Sequence, residues 1–137
     1  MDTEGTLLPE TVEEASGRYE QLGSTAQVVV KAVTKSMAFD REEYDERVDS
    51  DVIETAREAM FGEQLQVHVG TREEFDEWRE TTDHEVAVLG ADNVDHVVWH
   101  APPFAETAVA ATYQNEPDAA VATLRRQAVA RIYQDVV

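Results

Sequence analysis

Three histidines and a tryptophan crowd residues 84–104, HEVAVLGADNVDHVVWHAPPF, and a fourth histidine, His68, lies on an alternating segment before them. Imidazole can hold a divalent cation or move a proton near neutral pH, so these side chains are where chemistry would sit. On an extended chain His96, Val98 and His100 share one face, and Val97, Trp99 and Ala101 share the other. At ~3.3 Å per residue, His96 and His100 lie about 13 Å apart, too far to grip one metal between them. A metal or acid–base centre would need one of them together with His68 or His84 from a neighbouring strand. Asp95, Asp92 or Glu85 would supply the carboxylate. Strand register decides the matter: if His84 stands opposite His100 the two imidazoles meet, and if Leu89 opposes Val94 the pair is lost. The plainer reading makes the histidines part of a half-exposed sheet face packed under helices.

The elements that must position them are legible from spacing. Two apolar runs, 84–89 and 95–101, flank Gly90-Ala91-Asp92-Asn93, the composition of a short hairpin loop. Pro102-Pro103 then ends the second run by removing two donors. Segment 64–69 alternates Leu65, Val67 and Val69 against Gln66 and His68, the period of a half-buried strand. Together these predict a three-stranded mixed sheet (64–69, 84–89, 95–101). The last strand belongs in the middle, because it is apolar on both faces. Trp99 is expected to face the main core, and His68, His96 and His100 the less apolar side.

Helices fill the rest. Thr11 with Glu14 and a stop at Gly23 predict a helix over 12–22. Ser24 with Gln27 opens another, whose buried face would hold Ala26, Val29, Val30, Val33 and Met37. Asp40 with Glu43 opens a short helix, and Asp51 opens 52–61 with Val52, Ile53, Ala56, Ala59 and Met60 as its stripe. Thr71 with Glu74 caps a helix that buries Phe75 and Trp78. A helix is expected from Pro103 to Asn115, and a last one over 118–135 behind Pro117. The class is therefore α+β and mainly helical, with one globular domain over 11–137 after a flexible tail, 1–10.

Charge bounds the function. Asp and Glu total 29 against 11 Lys and Arg, a formal −18, and Lys31 and Lys35 are the only lysines. An acidic surface nearly free of lysine suits a cytoplasm of molar salt, where screening relieves the self-repulsion. Such a surface is a poor binder of phosphate backbones, so no nucleic-acid partner is expected. Cysteine is absent, which removes disulfides, thiolate catalysis and Cys-ligated zinc. No run of apolar residues is long enough to span a bilayer and no export signal is visible, so a soluble, cytoplasmic chain without membrane contact is expected. No nucleotide loop, nucleophile elbow or His-Glu-x-x-His occurs, so no cofactor is implied. Against the acidic background, Arg125, Arg126 and Arg131 cluster on the last helix. They would pair with the carboxylates of 40–51 or 72–80, or form an anion or acidic-partner patch. Alanines 119, 120, 122, 128 and 130 leave that helix small-faced and permit a homodimer through 118–135.

VVVKAVTKSMAFDREEYDERV, VHVGTREEFDEW, NVDHVVWHAPPFAETAVAATYQ and TLRRQAVARIY together resemble a family of small, acidic, uncharacterised haloarchaeal proteins. The resemblance runs from about Arg18 to the C-terminus and implies a cytosolic protein of a salt-accumulating organism. It carries no activity and no functional residues. The reading is a non-enzymatic interaction or adaptor domain, with an unknown protein or a second copy as partner. The alternative is a small metal-assisted hydrolase centred on the histidine and carboxylate cluster.

Overall fold

The computed structural model describes all residues, Met1–Val137. In chain order it contains β1 (Asp2–Glu4), α1 (Val12–Ser36), α2 (Arg41–Arg47), α3 (Ser50–Gln64), β2 (Val67–Thr71), α4 (Arg72–Thr81), β3 (Glu85–Leu89), β4 (His96–His100), β5 (Thr107–Tyr113) and α5 (Pro117–Ala128), which widens into a π-helical turn, Val129–Tyr133. The α+β class holds. The sheet, however, has five strands rather than three, in the order β1-β2-β4-β5-β3.

Two elements account for the extra strands. β5 occupies the stretch expected as a helix up to Asn115, because its alanines answer to packing rather than propensity. Ala110 lies opposite Trp99 and Ala111 opposite Val98, and the large residues of β4 leave room only for small neighbours. β1 lies in residues 1–10, expected as a tail: it pairs antiparallel with β2, Thr3 facing His68, and Leu7 behind it is buried.

The expected hairpin of 84–89 on 95–101 does not form. β5 inserts between the two strands, antiparallel to β4 and parallel to β3. The 90–95 loop therefore strides over the end of β5, about two strand spacings or ~10 Å, which six residues span with ease. Gly90, at φ +111°, is the pivot: a Cβ there would overlap the Thr112 hydroxyl at the strand end. That hydroxyl accepts the Ala91 N–H at 3.2 Å. β4 does sit in the sheet's interior, between β2 and β5, as its two apolar faces require.

The two sheet faces are unequal. Val67, Val98, Val109 and Ala111 pack under α1, α3 and α5 with Tyr19, Phe61, Leu65, Leu124 and Tyr133, forming the main core. Phe75, Val97, Trp99 and Ala110 form a smaller core under α4. Thr71 and Glu74 close a reciprocal capping box that starts α4 on the residue ending β2. Trp99 thus faces the smaller core, and the side carrying His100 is the main one, the reverse of the expected assignment.

Helix α1 is continuous through Gly23, which lies against the Arg57 guanidinium of α3. Its buried positions are Ala15, Tyr19, Leu22, Ala26, Val30 and Thr34. Of the expected stripe Ala26 and Val30 are buried, while Val29, Val33 and Met37 are exposed, at 41%, 52% and 60%. Likewise α3 buries only Phe61 and Gly62, and leaves Val52 and Ala59 open. Beyond the sheet, α1 and α3 run as a two-helix arm tipped by α2, which buries no residue at all.

Candidate functional site

The four histidines occupy four separate environments. His100, at the end of β4, is fully buried in the main core. Its Nδ1 lies 2.6 Å from the Gln66 carbonyl and its Nε2 lies 2.7 Å from the Tyr133 hydroxyl. A carbonyl only accepts, so Nδ1 carries the proton and Nε2 accepts from the Tyr133 O–H. Burial pulls the imidazole down to about 4, against the raising effect of the Gln66 bond, and His68, Arg125 and His84 lower it further. Burial likewise pushes the Tyr133 hydroxyl far above its ordinary value. The pair is therefore neutral, tautomerically fixed and closed to solvent.

His68 stands opposite Trp99 across β2 and β4, on the other face of the sheet. Spacing alone groups it with His96 and His100; strand parity separates them. Its ring lies 5.3 Å from the Trp99 ring, and both His68 Nδ1 and Trp99 Nε1 are buried without a partner. Burial lowers the His68 pKa. His84 precedes β3 and is engaged in local structure: Nε2–H donates to the Pro102 carbonyl at 2.9 Å, and Nδ1 takes the Thr82 hydroxyl at 2.9 Å. His96 lies exposed at the start of β4, stacked 5.2 Å from Tyr113. Asp95 beside it is exposed, and its carbonyl accepts the Arg72 N–H at 2.7 Å. No three His, Asp or Glu side chains are grouped so that they could hold a metal ion. His84 meets His100 or Trp99 in neither hairpin register, since β3 and β4 are not neighbours.

Of the arginine cluster, Arg125 is largely buried. It donates to the Leu65 carbonyl at 3.1 Å, beside Gly5, and reaches Glu63 at 3.8 Å rather than the carboxylates of 40–51 or 72–80. Arg126 shares with it the rim of an open groove of about 340 Å³ between α3 and α5, floored by Ala59, Gly62, Ala122 and Ala130. Arg131 is exposed and donates to the Gln127 side chain. A single concerted patch is not assembled.

What spacing concealed was the role of Tyr133 and the open face of α1. The π turn buries the doublets Ala128-Val129 and Ile132-Tyr133 together, a wider face than one α-helical stripe covers. It seats Tyr133 edge-on to Phe61 at 5.1 Å and beside Phe104 at 5.6 Å. The doublets four residues apart were the available signal. For α1, the signal was the absence of any carboxylate across 21–39 in a chain that carries 29.

Residues 6–134 match a family of unknown function, DUF5809. The chain belongs to that family. Neither a curated protein nor a solved structure matches it. Family membership thus brings no activity to the geometry, and the histidine arrangement brings no cluster to the family. No helix is long and apolar enough to cross a membrane.

Proposed function

We propose that the chain is a non-enzymatic interaction domain whose working surface is the outer strip of α1, and that a second copy of the chain is what covers it. One observation carries this reading: Val29, Val33 and Met37 lie open on a stretch free of carboxylates. In a molecule of net charge −18, like charges oppose close approach almost anywhere else. Contiguous exposed apolar residues cost free energy unless something covers them. Around the strip Thr25, Ala32 and Ser36 are uncharged, and Lys31 and Lys35 lie more than a quarter-turn away at 100° per residue.

A two-fold axis through Val33 satisfies the strip with itself, since antiparallel helices then set Val29 against Met37 of the partner. The helix 118–135, expected as the seam, commits Val121, Leu124 and Ala128 to the sheet and offers the arginine-rimmed groove instead. The hydrolase reading finds no convergent imidazoles. The charge balance and the two lysines support a cytoplasm of high salt as the setting.

Light scattering over a wide concentration range in about 2 M KCl, where the Debye length is a few ångströms, tests the reading. Twice the chain mass is expected, returning to the chain mass in Val29→Glu/Val33→Glu with an unchanged circular-dichroism spectrum. A monomeric wild type, or a dimer indifferent to the two glutamates, overturns it.

A further inference from the structure

On the flank of α1 away from that strip, Lys31 and Lys35 stand one turn apart beside the turn into α2. With Arg41 and Thr34 they line an open cavity of about 280 Å³, completed by Phe39, Tyr44 and Asp40. Both lysines of the chain are here. None of the three cations has a carboxylate within 4.0 Å, although α2 is rich in acids; the ion pairs of the molecule lie elsewhere, at Glu74, Glu54 and Glu63. The Asp40 carboxylate is occupied in capping α2, where it accepts the Glu43 N–H at 2.8 Å.

The turn that builds the cavity is specific. Ala38 takes φ +58°, the left-handed region that costs a side chain about 1 kcal/mol. This lets Ala38 and Phe39 return their N–H groups to the Lys35 and Thr34 carbonyls, each at 3.0 Å. Phe39 is thereby folded back beside the lysines, and the Arg47 guanidinium lies over its ring at 5.4 Å.

We propose that this cavity binds a small phosphate monoester carried on a flat ring. Two ammonium groups and a guanidinium supply donors for a dianionic oxyanion. The half-buried Phe39 and Tyr44 supply apolar and π surface for a ring. Asp40 is the one acid of the lining, set against three cations, and its carboxylate is engaged by the Glu43 N–H; carboxylates beyond the cavity are screened over a Debye length of ~8 Å at about 0.15 M salt. The lining thus governs affinity at moderate salt, and binding weakens as salt rises. This assignment is independent of what covers the strip of Val29 and Val33.

Calorimetric titration of the full chain with phenyl phosphate, inorganic phosphate and benzoate at about 0.15 M salt tests it. Saturable one-to-one binding of phenyl phosphate is expected, about fivefold tighter than inorganic phosphate, from a stacking contribution near 1 kcal/mol. Lys31→Gln and Lys35→Gln should each weaken it about tenfold, and Tyr44→Ala should erase the preference for the ring. All three substitutions are at exposed or half-exposed positions, and the folded state is checked by circular dichroism. Arg126→Gln/Arg131→Gln should leave binding unchanged. The proposal is overturned by the absence of saturable heat, by wild-type affinity in Lys31→Gln/Lys35→Gln, by loss of binding in the Arg126/Arg131 variant, or by benzoate binding as tightly as phenyl phosphate.

Discussion

His100 Nε2 accepts the Tyr133 hydroxyl at 2.7 Å inside the main core, and the bond ties the central strand β4 to the π turn that ends the fold. Neither group has an alternative partner in its surroundings, so each depends on the other. Tyr133→Phe removes the donor and leaves a buried imidazole nitrogen unsatisfied, which should cost about 1–3 kcal/mol. His100→Ala orphans both the Tyr133 hydroxyl and the Gln66 carbonyl and opens a cavity as well, for about 3 kcal/mol or more. Urea unfolding of the two variants measures both, and a loss below about half a kcal/mol in either would sink the account.

The same burial makes stability depend on pH with a definite sign. The folded imidazole titrates at about 4 and the unfolded one at 6.5. Above pH 6.5 neither state is protonated, and the full stability is present. As pH falls from about 6.5 toward 4, only the unfolded chain gains the proton, so stability declines by roughly 3 kcal/mol and then levels. His68, also lowered by burial, adds to the decline in the same direction. Carboxylate titration overlaps this window, so the comparison is with His100→Gln, whose amide can keep both hydrogen bonds without titrating. The wild-type curve should fall faster than the variant's across this window; parallel curves would remove His100 as the cause.

Trp99 is the largest fully buried side chain, wedged among Phe75 at 5.3 Å, Trp78 at 5.7 Å and His68. Trp99→Ala should cost about 3–5 kcal/mol, reduced somewhat because its indole N–H has no partner to lose. Sequence alone ranks this substitution far above His100→Ala, because it assigns Trp99 to the main core and His100 to the open side. With the faces exchanged, the two should cost similar amounts, and a gap above about 2 kcal/mol in unfolding free energy would restore the original ranking.

Local chemistry was readable wherever a single side chain decides it. Thr11, Asp40 and Thr71 cap helices as their spacing to Glu14, Glu43 and Glu74 announces, and Pro117 opens α5. What could not be read were choices made by a distant neighbour. Ala110 and Ala111 favour a helix until Trp99 and Val98 of β4 demand small residues beside them. Gly90-Ala91-Asp92-Asn93 has a hairpin's composition, yet β5 takes the place between the strands it joins. Among the candidate site residues, periodicity grouped His96 with His100 correctly. It had no means of placing His68 on the opposite face, because that depends on β2 pairing His68 with Trp99.

Gly90, like Gly5, should resist replacement. At φ +111° any side chain is strained, and a Cβ would collide with the Thr112 hydroxyl where the chain crosses β5. Gly90→Ala should cost more than about 2 kcal/mol. Thr112→Ala removes the obstacle but also the acceptor for Ala91 N–H, so it should cost about 1 kcal/mol alone. The double variant should be more stable than the sum of the two implies, by about 1 kcal/mol of coupling. Strict additivity would mean that the backbone angle alone, and not the crossing, selects glycine.

Salt should act most strongly on the arm. Its tip, α2, carries Glu42, Glu43, Asp45 and Glu46 against Arg41 and Arg47, buries nothing, and is held mainly by its Asp40 cap. The whole chain bears −18, and raising salt from about 0.1 to 1 M shortens the Debye length from ~10 to ~3 Å. Apolar packing and backbone hydrogen bonds survive that change, while repulsion among carboxylates does not, so the folded state gains. The melting temperature should rise between about 0.1 and 2 M KCl. Amide exchange in 41–47 should slow by a larger factor than in β4, whose bonds are shielded at any salt. A melting temperature that stays flat or falls would show that the repulsion is not what limits stability, and equal slowing in α2 and β4 would show a global effect with no special role for the arm.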